Sequence, residues 1–167
     1  MSYNSLLPNW AAVLRYTIGL PDVYGHPAKT WAAVDGLDDI PCRLMAIKGV
    51  EVLVGAEVVI ADYKLFLQDV IINEQDRVVV LLASSIVIGT DTNEYVCIAK
   101  HTATLLDRPT DGVNYLTYWG AVGPGYGSAW LVGSAYVPAL TYEILFVKDL
   151  QDSSTSHHKE CLVRLVR

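Results

Sequence analysis

Charge is scarce in this sequence. Asp, Glu, Lys and Arg make up 18% of its 167 residues, where soluble domains carry about 25%. The 12 basic residues form no dense run, and the net charge is −6. That argues against a grip on nucleic acid, which needs a basic stripe to neutralise phosphates. It does not exclude DNA nearby. Cysteine is scarce as well. Cys42, Cys97 and Cys161 are odd in number and widely spaced, so they form neither a disulfide framework nor a CxxC metal pair. They read as small buried apolar side chains of a reducing compartment. No apolar run reaches the roughly 20 residues that span a membrane. The start, Met-Ser-Tyr-Asn-Ser, has no charged segment leading into an apolar one. No signal peptide is therefore expected, and folding in a cytoplasm is.

Signatures of catalysis are lacking too. The glycine-rich stretch Gly120 to Gly127 has no Lys-Ser/Thr after it and no helix to present a positive N-terminus, so it is no phosphate loop. It reads as a mobile tip or hinge. No GxSxG elbow occurs. His157 and His158 adjoin and would point to opposite faces of a strand. His158 and Glu160 would share a face, but a third metal ligand is missing nearby. Cys97 lies among apolar neighbours, which reads as an inert buried thiol, and His101 reads as a residue that bonds its own loop. The expectation is a protein that is not an enzyme, with no cofactor and no metal.

What is abundant is apolar. Hydrophobic residues make up 52% of the chain, an excess that suggests assembly, because a lone monomer rarely exposes large apolar patches. Val, Ile, Tyr and Thr recur in short runs punctuated by Gly, Pro, Asn and Asp, the pattern of strands and turns. Strands are expected at Ile40 to Lys48, ended by Gly49, and over Glu57 to Val70. Others fall at Arg77 to Leu82, Ser84 to Gly89, Tyr95 to Ala99 and Trp130 to Val137. The strongest close the chain, at Thr141 to Asp149 and His157 to Val166. Ala11 to Ile18 reads either as a short helix or as a first strand. Leu20 to Lys29, Asn73 to Asp76 and His101 to Asn114 read as loops or turns. There is no amphipathic helix longer than three turns and no tandem repeat. The fold class expected is all-β, a barrel or sandwich of short strands.

Two separated stretches carry a resemblance. The first runs from about Leu14 to Val80 and contains LRYTIG, DVYG, IPCRL, GAEVVIADYKLFL and NEQDRVVV. The second is YEILFVKDLQDSSTSHHKECLVRLVR, Tyr142 to Arg167. Together they resemble the head-closure, or stopper, proteins of tailed phages. In that family an Asp-Arg strand leads through a glycine turn to a Tyr-containing strand. A His-bearing loop and a last strand with a basic end follow. Asp76-Arg77, Tyr142, Asp149, His157-His158-Lys159-Glu160 and Arg164 stand in those places.

The resemblance implies a small β-barrel, residues 1–84 with 141–167, that forms a ring at the neck of the virion. Its partners would be its own subunits, a portal or adaptor protein above and a tail-completion or terminator protein below. DNA would pass through without sequence-specific binding, and no membrane would be involved. Asp76, Arg77, His157, His158 and Glu160 are the candidate inter-subunit contacts. The loop that closes the channel would be Asn73 to Asp76 or Gln151 to Ser156.

The chain departs from that family by more than 60 residues between the Asp-Arg and Tyr-Glu strands. The insertion, 85–140, contains Tyr95, Cys97, His101, Thr102, Pro109, Gly112, Tyr115, Tyr118 and Trp119. It resembles small aromatic β-modules of phage tail and fibre proteins, related to some carbohydrate-binding modules. Tyr115, Tyr118, Trp119 and Trp130 read as a mini-core of this insertion, or as a glycan-stacking or interface surface. A virion surface protein that binds glycan through these rings is therefore the alternative function.

Overall fold

A computed structural model describes residues 6–122, 127–152 and 155–167. The chain is all-β. It divides into two compact units, Met1–Val80 with Thr141–Arg167, and Leu81–Leu140.

The first unit contains β1 (Asn9–Pro21), β2 (Pro27–Ala33), β3 (Ile40–Val54), β4 (Glu57–Gln68) and β5 (Arg77–Leu81). The second holds β6 (Ile86–Ile88), β7 (Glu94–Cys97), β8 (His101–Thr102), α1 (Tyr115–Tyr118), β9 (Trp119–Val122), β10 (Ser128–Ala129) and β11 (Ala135–Tyr136). The chain then returns to the first unit with β12 (Leu140–Asp152) and β13 (Thr155–Leu165).

The large sheet runs β2-β1-β3-β4-β13-β12-β5, and a further β1–β5 pairing makes it ring-like. Period-two patterning drives this. Cys42 and Ile40 on β3, Leu65 and Leu67 on β4, Cys161 and Val163 on β13 and Val78 and Val80 on β5 are all buried, while the residues between them are more exposed. Leu65 lies opposite both Leu44 and Cys161, and Val163 opposite both Tyr63 and Ile144. Cross-strand pairs of this kind are the unit of sheet stabilisation.

Ala11 to Ile18 is strand, not helix, because Ala11 and Val13 alternate into the core and β1 is paired along both its halves. Leu20 to Lys29 is no open loop. It is the tip of a β1–β2 hairpin, with Pro21 paired to Pro27. The Asp22 carboxylate organises the turn: Oδ1 accepts the N–H of Tyr24 at 2.8 Å and of His26 at 2.9 Å. This is an Asx-type turn, in which a short acidic side chain stands in for backbone. Gly49 does not end β3. The strand runs through it, with a bulge between Ala46 and Val50. A Cβ at Gly49 would lie 2.7 Å from Ile60 Cγ2, so the glycine admits the close approach that a bulge creates.

In the second unit β10-β6-β7-β9 form one small sheet and β11-β8 another. The strand expected over Trp130 to Val137 is formed only at Ala135–Tyr136, because Gly133 turns the chain at φ +82°. Of the stretch Gly120 to Gly127, residues 120–122 pair with β7, and 123–126 lie outside the described residues.

Candidate functional site

In the first unit, a buried carboxylate anchors the turn that precedes β5. Asp76 is 1% exposed. Its Oδ1 accepts the Tyr16 N–H at 3.0 Å, and its Oδ2 accepts the Asn73 N–H at 3.0 Å. The Arg15 Nε lies 3.2 Å from Oδ2. The residue just before it, Gln75, takes φ +74°, a conformation that costs a non-glycine residue energy and persists only where its surroundings enforce it. Its carbonyl accepts the Trp31 indole N–H at 2.9 Å, and its N–H donates to Ile144 O at 2.9 Å. The Asn73 to Asp76 turn is thus held at both ends.

Arg77 behaves differently from its neighbour. Its guanidinium carbon lies 3.4 Å from the centroid of the Trp31 ring, a close cation–π stack. Among the described residues it makes no ion pair, and its Nε has no hydrogen-bond partner. Arg77 lines a cleft of about 1050 Å³ between the β3–β4 hairpin and the end of β13. Ile47, Val58, Ile60, Leu165 and Val166 supply its apolar wall. Arg164, also on this wall, is held by Glu143 at 2.5 Å.

The remaining candidate contacts lie on β13. Glu160 pairs with Lys64 at 2.8 Å. Lys159 sits between Asp149 and Asp69, and these carboxylates, Asp149 first, raise its pKa. His158 is opposite Gln68 and Leu150. The backbone of His157 belongs to β13, while its side chain lies outside the described residues. So does part of the Gln151 to Ser156 loop. Among the described residues no group of three or more His, Cys, Asp or Glu is placed to hold a metal ion. None of the helices there is long and apolar enough to cross a membrane.

Two hairpins of this unit carry apolar side chains into solvent. On β1–β2, Val23 is 94% and Tyr24 84% exposed, with Leu20 beside them. On β3–β4, Leu53, Val58 and Ile60 are exposed, while Val52 and Ala61 on the alternate positions pack with Leu145.

The aromatic residues of the second unit pack round Trp119, which is 2% exposed. Val87, Cys97, Ala103 and Tyr136 complete the core, and Tyr95, Tyr115, Tyr118 and Trp130 pack against it partly buried. The four rings singled out in the sequence therefore gather round one core and form no flat exposed row. The Trp119 indole donates to the Asp107 carbonyl at 2.6 Å. Asp107 closes a capping box with Thr104, accepting from its N–H at 3.0 Å and its hydroxyl at 2.6 Å. Burial pushes the Asp107 carboxyl up, but the bonds from Thr104 and Asn114 together hold it below the usual carboxylate range.

His101 stacks on Tyr118 at 4.2 Å and meets Trp119 edge-on at 5.1 Å. Its Nδ1–H donates to Ala99 O at 2.8 Å, and the Cys97 thiol donates to the same carbonyl at 3.1 Å. Both groups thus donate to one acceptor, and the thiol proton is directed at Ala99 O rather than at the imidazole, with Sγ and Nδ1 3.8 Å apart. Burial also raises the Cys97 pKa, opposing a thiolate. The pair ties down the loop between β7 and β8.

Sequence reasoning missed Trp31, Arg15 and the exposed Val23-Tyr24 pair. The signal for the last was two large side chains between Asp22 and Gly25, where a turn ordinarily carries small polar ones. Compared with family models, curated proteins and solved structures, the chain matches none.

Proposed function

We propose that this chain is a structural, ring-forming subunit of the head-closure type, placed at the neck of a tailed-phage virion. It would extend the portal channel, help retain packaged DNA and offer a docking surface to the tail. The observation that supports this reading most is the surface of the first unit. A ring-like sheet spends its alternate side chains on a core and still displays Val23, Tyr24, Leu53, Val58 and Ile60 on two hairpins. Such surface favours association, because burying apolar area is its main driving force.

The two apolar hairpins are different surfaces, so copies joined through them would meet by heterologous contacts, which close into rings or run on as filaments. The partners are then further copies of the chain, an adaptor or portal ring above and a tail-completion protein below. The function rests on interfaces and not on an active site. The second unit, organised round Trp119, would be an independently packed module.

Electron microscopy of virions labelled with an antibody to this chain tests the reading. Label at the collar between head and tail is expected. Label on fibres or baseplate would overturn it.

A further inference from the structure

We propose that the β1–β2 hairpin tip of one copy seats in the cleft beside Arg77 of the next copy. This rests on the ring-forming reading and names the contact that would build the ring.

The tip is an ordered knob. Asp22 Oδ1 accepts two backbone N–H groups, Asp22 N–H donates to His26 O at 2.8 Å, and Gly25 N–H donates back to Asp22 O at 2.9 Å. Little entropy remains to be lost when such a turn docks. It presents Val23 and Tyr24 to solvent, and Asp22 Oδ2 takes no hydrogen bond from a described residue.

The cleft is complementary. Its apolar wall of Val58, Ile60 and Leu165 suits Val23 and Tyr24. Arg77 is oriented by the Trp31 ring and has no carboxylate partner among the described residues. A guanidinium in this state is suited to a carboxylate, through paired N–H donors in a fixed fork. The match holds in the other sign too, since the hairpin carries Lys29 and the cleft carries Glu57 and Asp62.

Within one chain the tip stands away from Arg77. Trp31, which holds Arg77, pairs with Tyr16 at the base of the hairpin, and Pro21 pairs with Pro27 at its tip. Five residues of strand, with a bulge between Ile18 and Pro21, place Pro21 about 17 Å along from Tyr16. The knob therefore points to another copy, and a knob and cleft on separate faces give a heterologous contact.

Sedimentation velocity of the full chain tests the contact, with Tyr24→Asp blocking the knob and Val58→Asp blocking the cleft. Both positions are well exposed, at 84% and 64%, so each variant should keep its fold, which circular dichroism checks. The wild type should assemble, and each variant alone should sediment as a monomer. Their equimolar mixture should give a heterodimer, because it retains one intact knob and one intact cleft. Arg77→Gln should weaken assembly about tenfold and reduce its salt dependence.

A wild-type chain that stays monomeric at high concentration would overturn the contact. So would assembly that survives Tyr24→Asp, which would mean that another segment occupies the cleft. A mixture that stays monomeric would overturn it as well. The neck reading is judged separately by the labelled virions. Collar label with assembly indifferent to Tyr24→Asp discards this contact alone. A heterodimer with label elsewhere keeps the contact and discards the neck.

Discussion

Asp76 and Arg15 stand 3.2 Å apart, carboxylate Oδ2 to guanidinium Nε, and join β1 to the turn that leads into β5. The same carboxylate takes N–H groups from Tyr16 and Asn73. Asp76→Ala would leave those buried donors without an acceptor and Arg15 without its counter-charge. We expect a loss of about 3 kcal/mol, read from urea unfolding. Arg15→Ala should cost less, since the two backbone bonds to Asp76 persist.

The second unit depends on Trp119 more than on any other ring. Trp119→Ala removes the buried side chain and the donor to Asp107 O. The expected cost is about 4 kcal/mol. Hydrogen exchange should show the loss over Leu81–Leu140, with the amides of β4 and β13 unchanged. Equal loss in both units would show that the units do not unfold separately.

Acid should loosen the same unit. The folded pKa of Asp107 is depressed, so its contribution is present above the unfolded value of about 3.9. It is lost as pH falls through the folded value. Trp fluorescence followed below about pH 4 should report the loosening, and Asp107→Asn should remove that part of the pH dependence. An identical acid limb in the variant would refute it.

Alkali should act on the first unit. Burial pushes the thiols of Cys42 and Cys161, and the phenol of Tyr142, up to about 12. Each neutral group is favoured in the folded state, so its stabilisation is complete below the unfolded pKa. For the thiols it is lost as pH rises from about 8.5 through about 12. Iodoacetamide at neutral pH should leave Cys42 and Cys161 unmodified in the folded chain and alkylate both in urea, as mass spectrometry would show. Ready alkylation of the folded chain would contradict their burial.

Much of the strand pattern was legible in the residues. Apolar, β-branched runs bounded by turn residues mark β4, β5 and β13, but the continuous run of β5 reads as buried on both faces, and only Val78 and Val80 are enclosed. The sequence reading divided the chain at residues 84 and 141, and contacts divide it at Val80 and Thr141. Local signals failed where one residue serves a distant partner. Gly49 looked like a stop, but its missing Cβ makes room for Ile60. Ala11 to Ile18 was ambiguous because eight residues fit either period, and pairing with β2 and β3 decided it.

By itself the sequence determined that this chain would be a strand-rich, weakly charged protein with buried thiols and a distinct aromatic segment. These follow from composition and periodicity, which act locally. Only the tertiary structure decided that Asp76 turns inward while its neighbour Arg77 lies against Trp31 at a cleft. Only it decided that Val23 and Tyr24 are displayed while Trp119 is enclosed. Burial and pairing depend on which strands meet, and strand pairing joins residues far apart in the chain, where no local pattern reaches.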